Sequence, residues 1–287
     1  MRNLHLIYNK LSYSRLGEED FVPSLVEYNW LVTEAIFDHQ RDFVPPVPGA
    51  ATFTLRVEYP GLLIGAAGTR GVGRAVLMKW MGPQMRRYRH AQDFSSMITL
   101  DHTTGQPYIP GSTVKGTLRR FFTRYPQAVA ELLGWEPRQI PALRREMFDG
   151  EDVFFDAVLF DSDPRGQILK REYMARRTAA RPHQGISALK VAPGVRLQFR
   201  FMPKDGLLTA RQKLWLYREL LLIGGIGSRT RAGYGALSPA DEMPEEKAAV
   251  QDQSHRIRCP VCAAVNYPQT EDGQPRLVCY RCKSPLR

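Results

Sequence analysis

Two constellations in this chain have residue types and spacings that could do chemistry. The first is Cys259-Pro-Val-Cys262 with Cys279-Tyr-Arg-Cys282, two C-x-x-C pairs separated by 16 residues. Four thiolates at that spacing close a tetrahedral site around one Zn²⁺. They leave no open coordination position, so the ion would be structural and would supply folding free energy that a short segment cannot draw from an apolar core. All four Cys of the chain lie in its last 29 residues. The alternative, two disulfides or four free thiols, is disfavoured by a reducing compartment.

The second constellation is Tyr108-Ile-Pro-Gly-Ser-Thr-Val-Lys-Gly-Thr-Leu-Arg119. Its chemistry suits a phosphate. Gly111 permits close backbone approach, and the Ser112 and Thr113 hydroxyls and the amides of a helix N-terminus face an anion. Lys115 and Arg119 stand at i and i+4 on one helical face. An ordinary capped amphipathic helix with solvated charges would read the same way. A Walker loop is excluded, because Gly-Lys-Ser/Thr does not occur in the required frame.

Both constellations need elements to position them. Glu18–Arg41 has helical spacing through Leu25, Trp30, Leu31, Ala35 and Ile36 and ends in the stiff run Val44–Pro48, which predicts a helical N-terminal extension over residues 1–50. Thr52–Tyr59 alternates as a first strand. A helix is predicted from Ser112 to Trp135, capped by Ser112 or Thr113. Asp152–Phe160 and Val195–Phe201 read as buried strands, Thr209–Ile223 as a second helix, and the glycine-rich Gly224–Gly235 follows it. Strand, helix, strand, strand, helix, strand is the order of a ferredoxin-like α+β core. Two stretches, Gly65–His90 and Arg165–Arg196, are basic and lack a strong period, and are expected as exposed excursions. Residues 239–253 carry five acids, one Lys and two prolines, a hydrated linker to a ribbon over 254–287.

The chain's 287 residues are 43% hydrophobic, enough for a substantial core. Forty Lys and Arg against 29 Asp and Glu leave a net charge of +11, which favours polyanionic partners and nucleic acid first among them. Met1–Lys10 lacks the apolar run of a signal peptide, and no run of about 18 apolar residues occurs. The expected location is the cytoplasm, with no membrane partner.

Pro107-Tyr-Ile-Pro-Gly-Ser-Thr-Val-Lys-Gly-Thr-Leu-Arg119 resembles the PGSSLKGxxR element of the RAMP superfamily, and Gly224–Gly235, ending Arg-Ala-Gly-Tyr-Gly, is similar to that superfamily's C-terminal glycine-rich loop. Val153-Phe-Phe-Asp-Ala157 resembles the FFDA strand of type III CRISPR backbone subunits, and Val191-Ala-Pro-Gly-Val195 the strand entry that follows it. The resemblance spans residues 51–238 and implies a ferredoxin-like, RRM-like core. Ile98–Pro107 and the Pro-rich extension most resemble the terminal subunit of a type III-B complex, at the guide 3′ end. The ribbon departs from that subunit's usual pattern.

The resemblance implies a guide-RNA (crRNA) binding subunit that also meets target RNA and other effector subunits in antiviral defence. The implied RNA contacts are Gly111, Ser112, Thr113, Lys115, Gly116 and Arg119, together with Gly227, Ser228, Arg229, Arg231 and Tyr234 as a backbone cradle with charged flanks. Tyr234 would stack on a base or pack in the core. The basic excursions would splay guide and target bases or touch neighbouring subunits. In repeated backbone subunits one Asp in the loop before this element supports Mg²⁺-dependent cleavage of target RNA. Asp93 is the candidate here, but its context Ala-Gln-Asp-Phe-Ser-Ser and its spacing to Asp101 depart from the pattern, so the expected role is noncatalytic and Mg²⁺ would be needed only if cleavage occurred. Asp101 reads as a turn residue. The alternative of a guide-RNA processing endoribonuclease would require a general base, for which His102 and His183 are the candidates.

Overall fold

The computed structural model describes residues 3–8, 31–37, 44–65, 98–178 and 181–240, together with four short strands between 257 and 276; side chains of 173–187 and of residues beyond 240 are not described. Helix α1 spans Gly111–Arg124, α2 Pro126–Leu133, α3 Ile140–Asp149 and α4 Ala210–Gly224. The strands are β1 Ala51–Val57, β2 Tyr108–Ile109, β3 Val153–Phe154, β4 Ala157–Asp161, β5 Leu169–Thr178, β6 Arg181–Val191, β7 Arg196–Met202 and β8 Leu237–Pro239.

The central sheet has the order β2-β4-β7-β1-β8, with β3 also paired to β7, and every pairing is antiparallel. Taking β3 and β4 as one interrupted strand, the four core strands lie fourth, first, third, second, as the ferredoxin-like order requires. Register explains the core. Phe53 sits opposite Phe199 and Leu55 opposite Leu197, so the odd positions of both strands share one face. That face is buried under Val114, Leu118 and Phe122 of α1, Leu143 and Met147 of α3, and Leu216 and Leu220 of α4. Phe53 stacks on Phe199 and Phe201, and Phe201 meets Tyr217 of α4 at 4.9 Å between ring centroids.

Several expectations are corrected. The helix predicted over Ser112–Trp135 is two helices, because Pro126 has no amide to donate and drives Tyr125 out of the helical region, to φ −137° and ψ 52°. Neither Ser112 nor Thr113 caps α1. Pro110 occupies the cap position with no side-chain bond, and both hydroxyl residues point to solvent. Arg165–Arg196 contains a long hairpin, β5 and β6 pairing from Leu169↔Val191 to Thr178↔Arg181. Charged residues interrupt any alternation in its sequence (Lys170, Arg171, Glu172, Arg176, Arg177), so no period of two marks it. In the N-terminal region, the described helical pieces are Leu4–Leu6 and residues 31–33, and the chain has left the helix by Ile36, which bridges Gln167. Leu4, Tyr8 and Val32 are fully buried in the main core, so these described pieces pack into the fold. The second helix does begin as its sequence asks, with Thr209 accepting from the Gln212 amide and the Gln212 side chain answering the Thr209 amide.

One buried charged cluster ties the helical layer to the sheet. Asp152, just before β3, accepts from Lys213 Nζ at 3.1 Å, from the Tyr217 hydroxyl at 2.7 Å and from the Lys204 amide at 2.8 Å. Lys213 also pairs with Glu146 of α3 at 2.9 Å. Burial, with the hydrogen bond to Asp152 and the charges of Asp152 and Glu146 adding to it, pushes the Tyr217 phenol far above its ordinary range. Removing Asp152 leaves an ammonium under helix α4 with Glu146 as its single ionic partner among the described residues. Asp152→Ala is expected to lower unfolding free energy by about 3–5 kcal/mol, read as a fall in the urea midpoint at unchanged slope.

Candidate nucleic-acid interface

The start of α1 is built by close backbone packing. A Cβ on Gly111 would lie 2.1 Å from the Phe154 carbonyl oxygen, so glycine here lets the helix meet β3. The amide of Gly111 does face an anion, but the anion belongs to the chain: Asp156 Oδ1 accepts from it at 2.7 Å. Thr113 and Val114 donate to the Pro110 carbonyl. Asp156 in turn is held by Arg200, whose Nε donates to the Asp156 carbonyl at 3.1 Å while another guanidinium nitrogen reaches Pro45. Burial lowers the Arg200 pKa, and the Asp156 charge opposes that fall.

What remains open on α1 is its outer face. Ser112, Thr113 and Gly116 are exposed, with Lys115 and Arg119 half-buried beside them. Lys115 Nζ lies 5.6 Å from the Phe154 ring centroid, and Arg119 makes a solvent-exposed ion pair with Asp149 at 3.0 Å, an interaction of low net value that a stronger anion displaces. Gly116 stands apart from Gly111. A Cβ there would meet nothing within 4 Å, and its backbone is not left-handed.

The glycine-rich loop is a second assembly. Ser228 donates to Leu63, Gly235 donates to Gly61 at 2.8 Å and accepts from Ile226 at 2.9 Å, and Glu58 donates to Ala236. Residues 61–63 are bonded in turn to the base of the β5–β6 hairpin, Leu62 and Val191 exchanging both backbone bonds. The glycines permit this zipper: a Cβ on Gly227 would lie 2.6 Å from the Leu63 oxygen, and one on Gly235 only 1.7 Å from the Ile226 oxygen. The expected backbone cradle is thus partly engaged internally. Three of its amides, Ser228, Ala232 and Gly233, bond within the protein. Its open chemistry is cationic: Arg229 and Arg231 are exposed and make no ion pair among the described residues. Arg229 holds φ 56°, the one non-glycine in the left-handed region among the described residues. Tyr234 packs on Leu63 and Ala188 and bonds Glu172, which pairs with Lys190. Burial first, and then the Glu172 charge, raise the Tyr234 pKa, while Arg229 opposes the shift.

The remaining candidates divide cleanly. Asp101 is a turn residue: its Oδ1 accepts from the amides of Thr103 and Thr104 and from the Thr104 hydroxyl. These bonds outweigh burial and hold its carboxyl below its ordinary value. His102 packs edge-on against His5 at 4.0 Å, and no other candidate site residue is bonded to it among the described residues. Asp93 and the four Cys lie outside the described residues, as does the side chain of His183. In sequence, Cys259 and Cys262 lie between two described paired strands, Ile257–Arg258 and Val265–Asn266. Sequence reasoning missed Glu172 and Lys190, which surround Tyr234, and the exposure of Tyr59. For Tyr59 the available signal was Tyr59-Pro-Gly61 closing a strand.

The sequence pattern that defines the RAMP superfamily matches residues 54–238. Among solved structures, a type III-B Cmr-beta complex bound to cognate target RNA aligns with 67% of this chain and 58% of its own, at 18% identity and TM-score 0.47. The crystal structure of Cmr6 from Pyrococcus furiosus aligns with 67% of this chain and 98% of its own, at 19% identity and TM-score 0.39. The chain therefore spans little more than half the length of the first of these. A comparison with curated protein sequences finds no match. Among the described residues no helix is long and apolar enough to cross a membrane.

The zipper makes Gly235 the position least able to carry a side chain. Gly235→Ala is expected to destabilise the fold by at least about 1–3 kcal/mol, and hydrogen exchange should show the Ile226 and Ser228 amides losing protection first. Unchanged protection at both amides would contradict the assignment.

Proposed function

The chain belongs to the RAMP superfamily, and from that premise we propose that it is a guide-RNA-binding structural subunit of a type III CRISPR ribonucleoprotein. Its partners in this reading are guide RNA, target RNA and other effector subunits. Gly116 is the observation that carries it. A glycine inside an exposed helix costs about 1 kcal/mol relative to alanine, and nothing among the described residues needs the space it leaves. Ser112 lies one turn before it and Arg119 and Arg120 one turn after, so a hydroxyl, bare backbone and two guanidinium groups share one outward face. That face fits the close approach of a sugar-phosphate chain. Lys115 adds charge at its border, and Arg119 exchanges Asp149 for phosphate with little loss. The loop arginines Arg229 and Arg231 extend the cationic surface.

The reading is noncatalytic. Asp101 Oδ1 is engaged as a turn acceptor, and His102 is packed against another ring. For the C-terminal segment we propose a structural zinc ribbon with Cys259, Cys262, Cys279 and Cys282 as ligands, following the acidic linker. Bound Zn²⁺ would cross-link the two C-x-x-C pairs, and the paired strands around the first pair fit that role.

Gly116→Ala is expected to raise the stability of the free protein by up to about 1 kcal/mol while weakening RNA retention by the reconstituted complex. Tighter folding with undiminished RNA binding would contradict the α1 face. Arg119→Ala should reduce the slope of log affinity against log salt by about 1. Zinc analysis of the purified protein should give one ion per chain, and Cys262→Ser should lose it along with thermal protection of the ribbon. Full occupancy without Cys262 would overturn the ligand set.

A further inference from the structure

Tyr59 is 83% exposed, the most exposed large hydrophobic side chain among the described residues. It stands at the tip of a tight turn that is fixed on every side. Gly61 donates to the Glu58 carbonyl at 2.8 Å, Glu58 donates to Ala236, Gly61 accepts from Gly235, and the Ser238 hydroxyl bonds the Glu58 carboxylate. The turn is therefore part of the zipper that shapes the glycine-rich loop, and Pro60 lies against Gly233, where a Cβ would come within 3.7 Å of it. The turn that carries Tyr59 thus packs directly on the loop that carries Arg229 and Arg231, through Pro60 against Gly233 and Gly61 bonded to Gly235. An exposed aromatic ring on a turn packed against a loop with two exposed arginines has a defined chemistry. The ring offers a face on which any nucleobase stacks, and the arginines take the flanking phosphates. Arg229 is held left-handed between the Ser228–Leu63 and Ala232–Arg229 backbone bonds, so its side chain is presented from a constrained backbone.

We propose that Tyr59 is a base-stacking platform for single-stranded RNA, with Arg229 and Arg231 binding the phosphates on either side of the stacked base. The inference rests on the RNA-binding reading and adds to it a residue and a mode: recognition of an unpaired base through its face, independent of base identity. The exposed Arg229 and Arg231 of the adjoining loop favour a polyanion as the occupant.

The test uses the full-length protein and two fluorescent probes of equal length, oligouridylate and the corresponding abasic ribose-phosphate oligomer. Tyr59→Ala is expected to weaken oligouridylate binding about 5- to 100-fold and to leave abasic binding and the salt slope unchanged, while Tyr59→Phe and Tyr59→Trp retain wild-type affinity. The exposure of Tyr59 makes a folding defect in the alanine variant unexpected, and its thermal midpoint checks that. Equal affinity of Tyr59→Ala and wild type for oligouridylate overturns the platform but leaves the RNA reading standing. Equal losses on both probes would mean that Tyr59 only props the loop, and also overturn it. If Tyr59→Ala keeps its RNA affinity but drops out of the assembled complex on gel filtration, the ring serves a protein partner. Failure of the wild type to bind either probe would sink the RNA reading itself.

Discussion

The fold's working surface depends on backbone meeting backbone at Gly235. Its amide donates to Gly61 and its carbonyl accepts from Ile226, which draws the end of helix α4, the strand-exit segment after β1 and the last strand into one junction. No side chain fits there, since even a methyl group would overlap the Ile226 carbonyl. Leu62 then passes the connection to Val191, at the root of the β5–β6 hairpin. Four parts of the chain, distant in sequence, are held in fixed relation by hydrogen bonds whose directionality leaves little tolerance. The charges and the aromatic ring displayed above that junction are exposed, and they are positioned because the backbone beneath them is not free to move.

Two kinds of glycine follow from this. Gly111, Gly225, Gly227 and Gly235 are present because a neighbouring carbonyl occupies the place of a Cβ, so their chemistry is internal packing. Gly116 has no described residue in front of it. The first kind shapes the protein and the second leaves room for something outside it. The anion at the α1 N-terminus belongs to the first category as well: Asp156 fills a position that the helix dipole would otherwise offer to a ligand, and the outer helix face is left as the place where a polyanion can approach.

Much of the fold was legible because its central strands and α4 carry strong patterns. Phe53, Leu55 and Val57 alternate, Leu197, Phe199 and Phe201 answer them, and Thr209 with Gln212 announces a helix start, so the ferredoxin-like order could be read directly. The β5–β6 hairpin escaped because charges at Lys170, Arg171, Glu172, Arg176 and Arg177 break any alternation of period two in the sequence. Helix α3 was within reach, with Ile140, Leu143, Met147 and Phe148 at helical spacing. At the candidate site, the glycine clusters marked where the backbone does something special. Which amides are occupied depended on Gly61, Leu63 and Asp156, partners 45 to 174 residues away, and no local pattern announces a partner at that distance. The Asp156 contact spans 45 residues, and Gly61 to Gly235 spans the full 174.

Ultraviolet crosslinking of the assembled ribonucleoprotein, followed by mass spectrometry of the peptide adducts, addresses the central claim most directly. If the junction-supported face binds RNA, adducts will concentrate on the peptides containing Tyr59 and Arg229–Gly235 and on the outer face of α1. Efficient crosslinking elsewhere in the chain, with those peptides recovered unmodified, would contradict the account.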